Sequence, residues 1–326
     1  MVKIKLPIII IIVFTFGLLC GLYGSSIIHQ DDAQSKEIRL PEQYKFINPL
    51  LECDTNIGNS KPINRLRDLI RSYIEKKKNE KVVSEVAVYY RDLNNGPWFG
   101  VNEKTLFSPA SLIKVPMMIS YLKLAETDPR ILDIKVKNTL SNKDSYTNIV
   151  FVPKEKLENK EYTIDELIRR MIVYSDNVAY DLLFNLIDNA KLVKTYSDLG
   201  VDISKAYNDP NGNTLTIKDY SSFFRILYNS SYLNRTMSEK ALELLSGVDF
   251  ADGIVAGVPK DTMVSHKLGE RIYVETGEKQ LHDCGIVYKK EKTYMICIMT
   301  RGFDFNYLPE IIQNISRMVY LDVSLR

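Results

Sequence analysis

Phe107-Ser108-Pro109-Ala110-Ser111-Leu112-Ile113-Lys114-Val115-Pro116 is the stretch of this chain from which its fold and chemistry can be predicted. A serine and a lysine three residues apart on a helix lie on one face, one turn apart. When its amine is neutral, Lys114 can take the proton of the Ser111 hydroxyl, and serine needs such a base to become a nucleophile. The simpler interpretation of Ser111 is a helix N-cap.

Two further motifs follow in chain order, and the spacing of Ser111 and Lys114 becomes informative in combination with them. They are Ser175-Asp176-Asn177 and Lys267-Leu268-Gly269. The set S-x-x-K, S-D-N and K-T-G is typical of class A β-lactamases and penicillin-binding proteins. On these motifs, and on the flanking runs 256–261 and 282–288, the chain resembles that superfamily of serine hydrolases from about residue 60 to residue 326.

The resemblance implies an α/β (α+β) fold, in which helices flank an antiparallel sheet, an all-α lobe packs beside it, and a cleft lies between them. The sequence itself predicts strands at both ends of the domain and helices between them, an order that fits one antiparallel sheet plus a helical region. The predicted strands are 82–90, 98–101, 264–267, 271–276, 285–288 and 294–299. The predicted helices are 63–78, 111–124, 164–174, 177–187, 217–228, 238–245 and 308–320.

The motifs supply four predicted catalytic residues. Ser111 is the nucleophile, and Lys114 is its general base. Burial and a second nearby cation would lower the pKa of that lysine, and Lys267 is the predicted second cation. By the resemblance, Ser175 passes the proton to the leaving group with help from Lys267. An esterase would instead carry a tyrosine at the position of Ser175, and Tyr174 is its neighbour.

Substrate binding is predicted from the resemblance as well. Asn177 would hydrogen-bond the amide portion of the substrate. Backbone N–H groups of Ser111 and Glu270, the residue after Gly269, would form the oxyanion hole. Asp176 is interpreted as a structural residue that holds its loop through backbone hydrogen bonds.

Two departures from the family pattern affect the predicted chemistry. Leu268 stands where the family has a threonine, so a hydroxyl that would meet the substrate carboxylate is missing, and Glu270 adds negative charge beside it. The deacylating glutamate of class A β-lactamases also has no counterpart, because no glutamate occurs between Leu167 and Ser238. Asp209 is the candidate substitute, although its Asp-Pro-Asn-Gly context is typical of a turn.

The N-terminal region predicts a membrane anchor. Residues 6–28 carry no charge and are long enough to cross a bilayer, which takes about 20 helical residues. Lysines precede this segment and aspartates follow it, so residues 1–5 are predicted to be cytoplasmic. Residues 29–46 form a spacer, and 47–326 form the extracytoplasmic catalytic domain. A cleaved signal peptide, or a lipoprotein modified at Cys20, is the alternative.

Composition narrows the remaining function classes. Lys and Arg (43) nearly balance Asp and Glu (41) in 326 residues, which argues against a nucleic-acid partner. Three scattered histidines and four cysteines without a C-x-x-C pair provide no ligand set, so neither a metal nor another cofactor is predicted. Cys284 and Cys297 are predicted cross-strand neighbours, either as two buried thiols or as a disulfide.

The sequence thus predicts a single-pass membrane protein of the cell surface with a serine hydrolase domain. The substrate would be a β-lactam or a cell-wall peptide, attacked through an acyl-enzyme at Ser111. The alternative function is a penicillin-binding or peptidoglycan-binding module with little or no turnover.

Overall fold

The computed structural model describes residues 38–39, 44–52, 61–94, 96–139, 151, 156–201 and 214–326. In chain order its strands are β1 (Ile38–Arg39), β2 (Leu50–Glu52), β3 (Glu85–Asp92), β4 (Trp98–Val101), β5 (Leu106–Phe107), β6 (Lys135–Lys137), β7 (Glu161–Thr163), β8 (Leu215–Thr216), β9 (Met263–Ile272), β10 (Lys279–Tyr288) and β11 (Tyr294–Gly302). Its α-helices are α1 (Lys61–Asn79), α2 (Lys114–Ala125), α3 (Ile164–Val173), α4 (Asn177–Leu186), α5 (Asn189–Asp198), α6 (Ile217–Asn229), α7 (Arg235–Ser246) and α8 (Leu308–Leu325).

A five-stranded antiparallel sheet forms the β part of the fold. Its spatial order is β4-β3-β11-β10-β9, so strands from the two ends of the domain pair directly. This pairing confirms the predicted antiparallel sheet with helices around it. Strand β9 lies at one edge and carries the third motif.

The predicted strand at 271–276 is wrong beyond Ile272, because the chain turns there. Tyr273 N–H donates to Glu278 O (2.8 Å), and Gly277 N–H donates to Tyr273 O (2.8 Å). Gly277 has φ +71°, a conformation that glycine adopts without strain. Residues 271 and 272 instead complete β9, which runs unbroken from Met263.

The two faces of the sheet pack against different helices. On one face, side chains of β3, β10 and β11 form a core with α1 and α8 that includes Leu66, Val88 and Ile312. The other face packs against the helical lobe in a second core, with Met118 and Phe224 among its buried residues. Because successive side chains of a strand alternate between faces, neighbours in the third motif point in opposite directions.

Lys267, Cys284 and Cys297 are consecutive register partners across β9, β10 and β11. They therefore share the face that meets the helical lobe. The predicted cross-strand pairing of the two cysteines is confirmed, and a disulfide joins them with both residues fully buried. The disulfide links β10, which lies next to β9, to β11 at the centre of the sheet.

The helical lobe comprises α2 to α7. Helices α3 to α7 begin at side-chain caps, as in the capping box formed by Thr163 and Glu166 at the start of α3. Helix α5, capped by Asp188, was not predicted, because most of its residues are polar and exposed and only Leu192 and Thr195 are buried. Its neighbour α4 begins within the second motif.

The segment before α1 is fastened to the helical lobe by one carboxylate. Glu239 on α7 accepts hydrogen bonds from the backbone N–H groups of Lys45, Phe46 and Ile47 at 2.8–3.1 Å. Phe46, the last residue of the predicted spacer, is buried edge-on against Tyr288.

The predicted membrane anchor at 6–28 lies outside the described residues. Within the part of the chain that the structure describes, no helix combines the length and the apolar character needed to span a bilayer.

Candidate active site

A short 3₁₀ turn, Ala110–Ile113, positions Ser111 between β5 and α2. Ala110 adopts a left-handed backbone conformation, with φ +47°, and Leu112 N–H donates to Pro109 O (2.9 Å). No side chain caps either this turn or α2. The interpretation of Ser111 as a helix N-cap is therefore wrong, and its side chain is available for chemistry.

Three strand residues hold Ser108, just before this turn. Arg271 donates to Ser108 Oγ (2.9 Å), and Gln280 Oε1 accepts from Ser108 N–H (3.1 Å). His282 Nε2 lies 3.0 Å from Ser108 O. Burial lowers the pKa of His282 to about 4, so the neutral ring donates its Nε2 proton to that carbonyl.

Sequence reasoning missed these three supporting residues. The sequence feature that could have indicated them is the occurrence of polar residues in strands whose other residues are buried. Gln280 and His282 are both fully buried. A buried polar side chain usually has a hydrogen-bond partner. Here the partner is the backbone of Ser108, three residues before Ser111.

Lys114 is the centre of the polar cluster. Its Nζ lies 3.0 Å from Ser111 Oγ and 3.2 Å from Ser175 Oγ. It donates to Ser175 O (2.6 Å) and Asn177 Oδ1 (2.6 Å). The amine therefore bridges the first and second motifs.

Burial strongly perturbs the Lys114 amine. The side chain is 2% exposed, and desolvation lowers its pKa to about 7, while Asp176 and Asp181 oppose the shift. A lysine with this pKa is neutral part of the time near pH 7. It can then act as a proton acceptor toward Ser111.

Ser175 stands between the two lysines. Lys267 Nζ donates to Ser175 Oγ (2.9 Å), the oxygen that Lys114 also contacts. Burial is the main cause that lowers the pKa of Lys267, and the nearby charge of Lys114 lowers it further. Ser175 has φ +50°, an uncommon conformation for a residue other than glycine. The local backbone thus turns its hydroxyl toward both amines.

Asp176 acts as the N-cap of α4, as predicted for a structural residue. Its Oδ1 accepts from Ala179 N–H (3.1 Å), and Arg170 approaches its other oxygen at 3.6 Å. Tyr174 ends α3 and lies beneath the guanidinium of Arg170. Because Lys114 contacts Ser175, the geometry favours Ser175 over Tyr174 as the motif residue.

In the third motif, Gly269 permits close contact between β9 and the 3₁₀ turn. A Cβ atom at Gly269 would lie 2.8 Å from Leu112 Cγ and 3.2 Å from Pro109 O. Leu268 faces the core of α1 and α8 and is buried. Glu270 is partly exposed, and its charge acts on both Lys114 and Lys267.

The structure thus brings together five predicted site residues, with Gly269 against the 3₁₀ turn: Ser111, Lys114, Ser175, Asn177 and Lys267. Asp209 lies outside the described residues. The near-match Glu275-Thr276-Gly277 is exposed in the β9–β10 turn, away from this cluster. Among the described residues, no group of histidine, cysteine, aspartate or glutamate side chains is arranged to hold a metal ion.

Comparison with known proteins agrees with this arrangement. The model of the Beta-lactamase enzyme family matches residues 64–323, which is most of the chain, so the chain belongs to that family. It is 24% identical to Beta-lactamase L2 of Stenotrophomonas maltophilia over 203 residues. That match covers 61% of this chain and 66% of the relative, just under two thirds of the relative's length.

Solved structures share the fold at low sequence identity. PBP-A superimposes with a TM-score of 0.67 at 20% identity, over 83% of this chain and 100% of that chain. A class A β-lactamase from Mycobacterium abscessus superimposes with a TM-score of 0.65 at 20% sequence identity, and the match covers 79% of this chain and 99% of that chain. A PBP-A variant in an acyl-enzyme complex with penicillin G has a TM-score of 0.66 at 21% sequence identity, and the match covers 81% of this chain and 98% of that chain. These similarities show a common fold.

Proposed function

We propose that this protein is a serine acyl-transfer enzyme that forms an acyl-enzyme at Ser111. The observation that carries the proposal is the Lys114 amine, buried and 3.0 Å from Ser111 Oγ. Its pKa of about 7 suits a general base near neutral pH. Family membership supports the reaction class.

The acylation step follows from the contacts of the cluster. Neutral Lys114 takes the Ser111 proton as Oγ attacks the substrate carbonyl carbon, and backbone N–H groups of Ser111 and Glu270 stabilise the oxyanion. The Ser175 hydroxyl, hydrogen-bonded to Lys267, then delivers a proton to the leaving nitrogen. The carbon–nitrogen bond breaks, the proton on Lys114 replaces the one that Ser175 gave, and the ester on Ser111 remains.

The proposed substrates are β-lactams or cell-wall peptide amides. Asn177 would orient the amide portion of the substrate, although its Oδ1 also binds Lys114 (2.6 Å). A PBP-A structure with the same fold carries penicillin G as an acyl-enzyme, which supports a β-lactam as the first probe. Hydrolysis of the ester is the step for which the family glutamate is missing.

The second candidate is a penicillin-binding module with little turnover. The missing deacylating glutamate favours it, because an acyl-enzyme without a base for hydrolysis would persist. Leu268 in place of the family threonine also removes a hydroxyl that would meet the substrate carboxylate, and the loss of one hydrogen bond to a charged group costs about 1.5–3 kcal/mol. That loss and the negative charge of Glu270 would slow acylation by an anionic substrate and so lower turnover further.

We further propose a single-pass membrane protein with its catalytic domain outside the cytoplasm. The uncharged segment 6–28, with lysines before it and aspartates after it, supports this topology. The disulfide between Cys284 and Cys297 also supports it, because such bonds persist mainly in oxidising compartments.

Intact-mass analysis of the full chain in detergent, after incubation with penicillin G, tests the function. We expect a covalent penicilloyl adduct or consumption of the antibiotic in the wild type, and neither in Ser111→Ala. Lys114→Ala should remain folded and lose acylation by about 100-fold or more. Wild-type acylation in Lys114→Ala would contradict the assigned base. Neither adduct nor consumption in the wild type would favour another substrate or a purely binding role.

A further inference from the structure

Asp181 is a carboxylate of the candidate active site that neither the motifs nor the family resemblance singled out. It lies on α4 four residues after Asn177, whose Oδ1 is 2.6 Å from Lys114 Nζ. Residues four apart share one helix face, and four residues correspond to about 6 Å along the axis. Asp181 therefore follows Asn177 on the side of α4 that faces the Lys114 amine.

The electrostatics of Asp181 agree with this placement. Burial raises the pKa of its carboxyl, the charge of Lys114 opposes that rise, and the charge of Asp176 adds to it. In return, Asp181 stabilises the charged form of Lys114. The side chain remains partly exposed, so water can reach the carboxylate.

The other described aspartates between Leu167 and Ser238 have structural contacts. Asp176 and Asp188 cap α4 and α5 through backbone N–H groups. Asp198 pairs with Lys194 at 2.8 Å, and Asp219 binds the Thr216 hydroxyl at the start of α6. The chain has no glutamate in this stretch. Among the described residues there, Asp181 is the carboxylate that combines partial burial with the charge of Lys114.

We propose that Asp181 is the general base of deacylation, which rests on the proposed formation of an acyl-enzyme at Ser111. The carboxylate accepts a proton, directly or through one bound water, from the water that attacks the ester carbon. The tetrahedral intermediate collapses, the carbon–Oγ bond breaks, and the carboxylic acid product leaves. The proton on Asp181 passes to the neutral Lys114 amine, and the resulting ammonium protonates Ser111 Oγ, so Asp181 is again ionised, Lys114 is again neutral and the site is restored.

The test measures acylation and deacylation separately in the full chain in detergent. Wild type, Asp181→Asn and Asp198→Asn are loaded with penicillin G, excess antibiotic is removed, and loss of the adduct is followed by intact mass. Asp198→Asn is the matched control, because it makes the same chemical change at a surface ion pair on the next helix. Thermal denaturation verifies that all three chains are folded.

At pH 8, above the Lys114 pKa of about 7, the base is mostly neutral with or without the charge of Asp181, so we expect all three proteins to be acylated. The lifetime of the adduct should be about 100-fold longer in Asp181→Asn. Release by the wild type should increase with pH until the Asp181 carboxyl is ionised and then level off. This increase of the release rate with pH should be absent in Asp181→Asn and should return in Asp181→Glu. A merely structural role would not remove it.

Three results would overturn the role of Asp181, and they differ in which of the other proposals they also reject. Release from Asp181→Asn at the wild-type rate rejects Asp181 alone. A wild-type adduct that never hydrolyses rejects any deacylation base but retains Ser111 as the nucleophile. A wild-type chain that neither acquires the adduct nor consumes penicillin G rejects the proposed function and, with it, this inference.

Discussion

The chemistry of the site depends on how one amine is solvated. Lys114 is almost fully buried, yet it donates to the Ser175 carbonyl and to the Asn177 side chain. Desolvation favours the neutral amine, while these acceptors favour the ammonium. Because desolvation outweighs the opposing charges of Asp176, Asp181 and Glu270, the pKa falls to about 7 and both protonation states are accessible during a reaction cycle.

Acylation of Ser111 should therefore depend on pH through Lys114. Only the neutral amine accepts the serine proton, so the acylation rate should increase as pH rises through about 7 and level off above it. Below that pH, each unit should lower the rate about tenfold. Stopped-flow measurements with a chromogenic β-lactam from pH 5 to 9 would show this limb. Lys194→Met, a change at an exposed lysine, is the control, and a flat profile in the wild type would contradict the prediction.

The spacing of Ser111 and Lys114 was enough to predict that they meet, because helical geometry is local. The burial of the amine could be expected only in outline, from its apolar neighbours. The contacts of Arg271, Gln280 and His282 with Ser108 could not be predicted, because they depend on the register between distant strands.

At the scale of elements, the site depends on contact between β9 and the 3₁₀ turn. Gly269 brings the backbone of β9 against Leu112 and Pro109, one and two residues from the nucleophile. A side chain at this position would separate the strand from the turn. The glycine of the third motif is thus required by packing, independently of any contact with substrate.

Gly269→Ala should destabilise the protein and slow acylation. The new Cβ would lie 2.8 Å from Leu112 Cγ, and overpacking of this kind costs about 1–3 kcal/mol. Chemical denaturation and the acylation rate measure the two effects. Gly247→Ala is the control, because its Cβ would lie 3.5 Å or more from its neighbours. Wild-type stability and acylation in Gly269→Ala would show that the turn adapts without cost.

Most elements were predictable where apolar periodicity was strong, as in α1, α3 and α6. Strand β9 was predicted as two pieces because Gly269 and the charged Glu270 interrupt its β-rich pattern, whereas pairing with β10 keeps the strand continuous. Helix α5 was missed because few of its residues are buried. In both cases, contacts between elements outweigh the local signal.

At the scale of the molecule, the sheet joins the site to the core. Lys267 shares a cross-strand row with Cys284 and Cys297, so the buried disulfide lies on the same face of the sheet as the Lys267 amine. The sequence predicted the register of these cysteines from the hairpin between β10 and β11. It left their oxidation state open, because a buried thiol pair and a disulfide fit the same pattern.

Loss of the disulfide should lower the free energy of unfolding. The bond joins residues 13 apart, and closure of a loop of this size contributes about 3 kcal/mol by restricting the unfolded chain. Urea denaturation of the wild type and of Cys284→Ala/Cys297→Ala would measure the difference, with mass after thiol alkylation as the control for oxidation. Equal midpoints and slopes would contradict a stabilising role.

The Glu239 clamp on the backbone of residues 45–47 has a mechanical consequence. A pulling force applied ahead of Arg39 enters the helical lobe at two helices, through the hydrogen bond from Arg39 to Asn229 on α6 and through those from residues 45–47 to Glu239 on α7. From α7 the force continues to β9, because Ser265 Oγ on β9 donates to Leu242 O on α7 (2.7 Å). Tension on the N-terminal segment would therefore be transmitted to the strand that carries Lys267, beside Ser111.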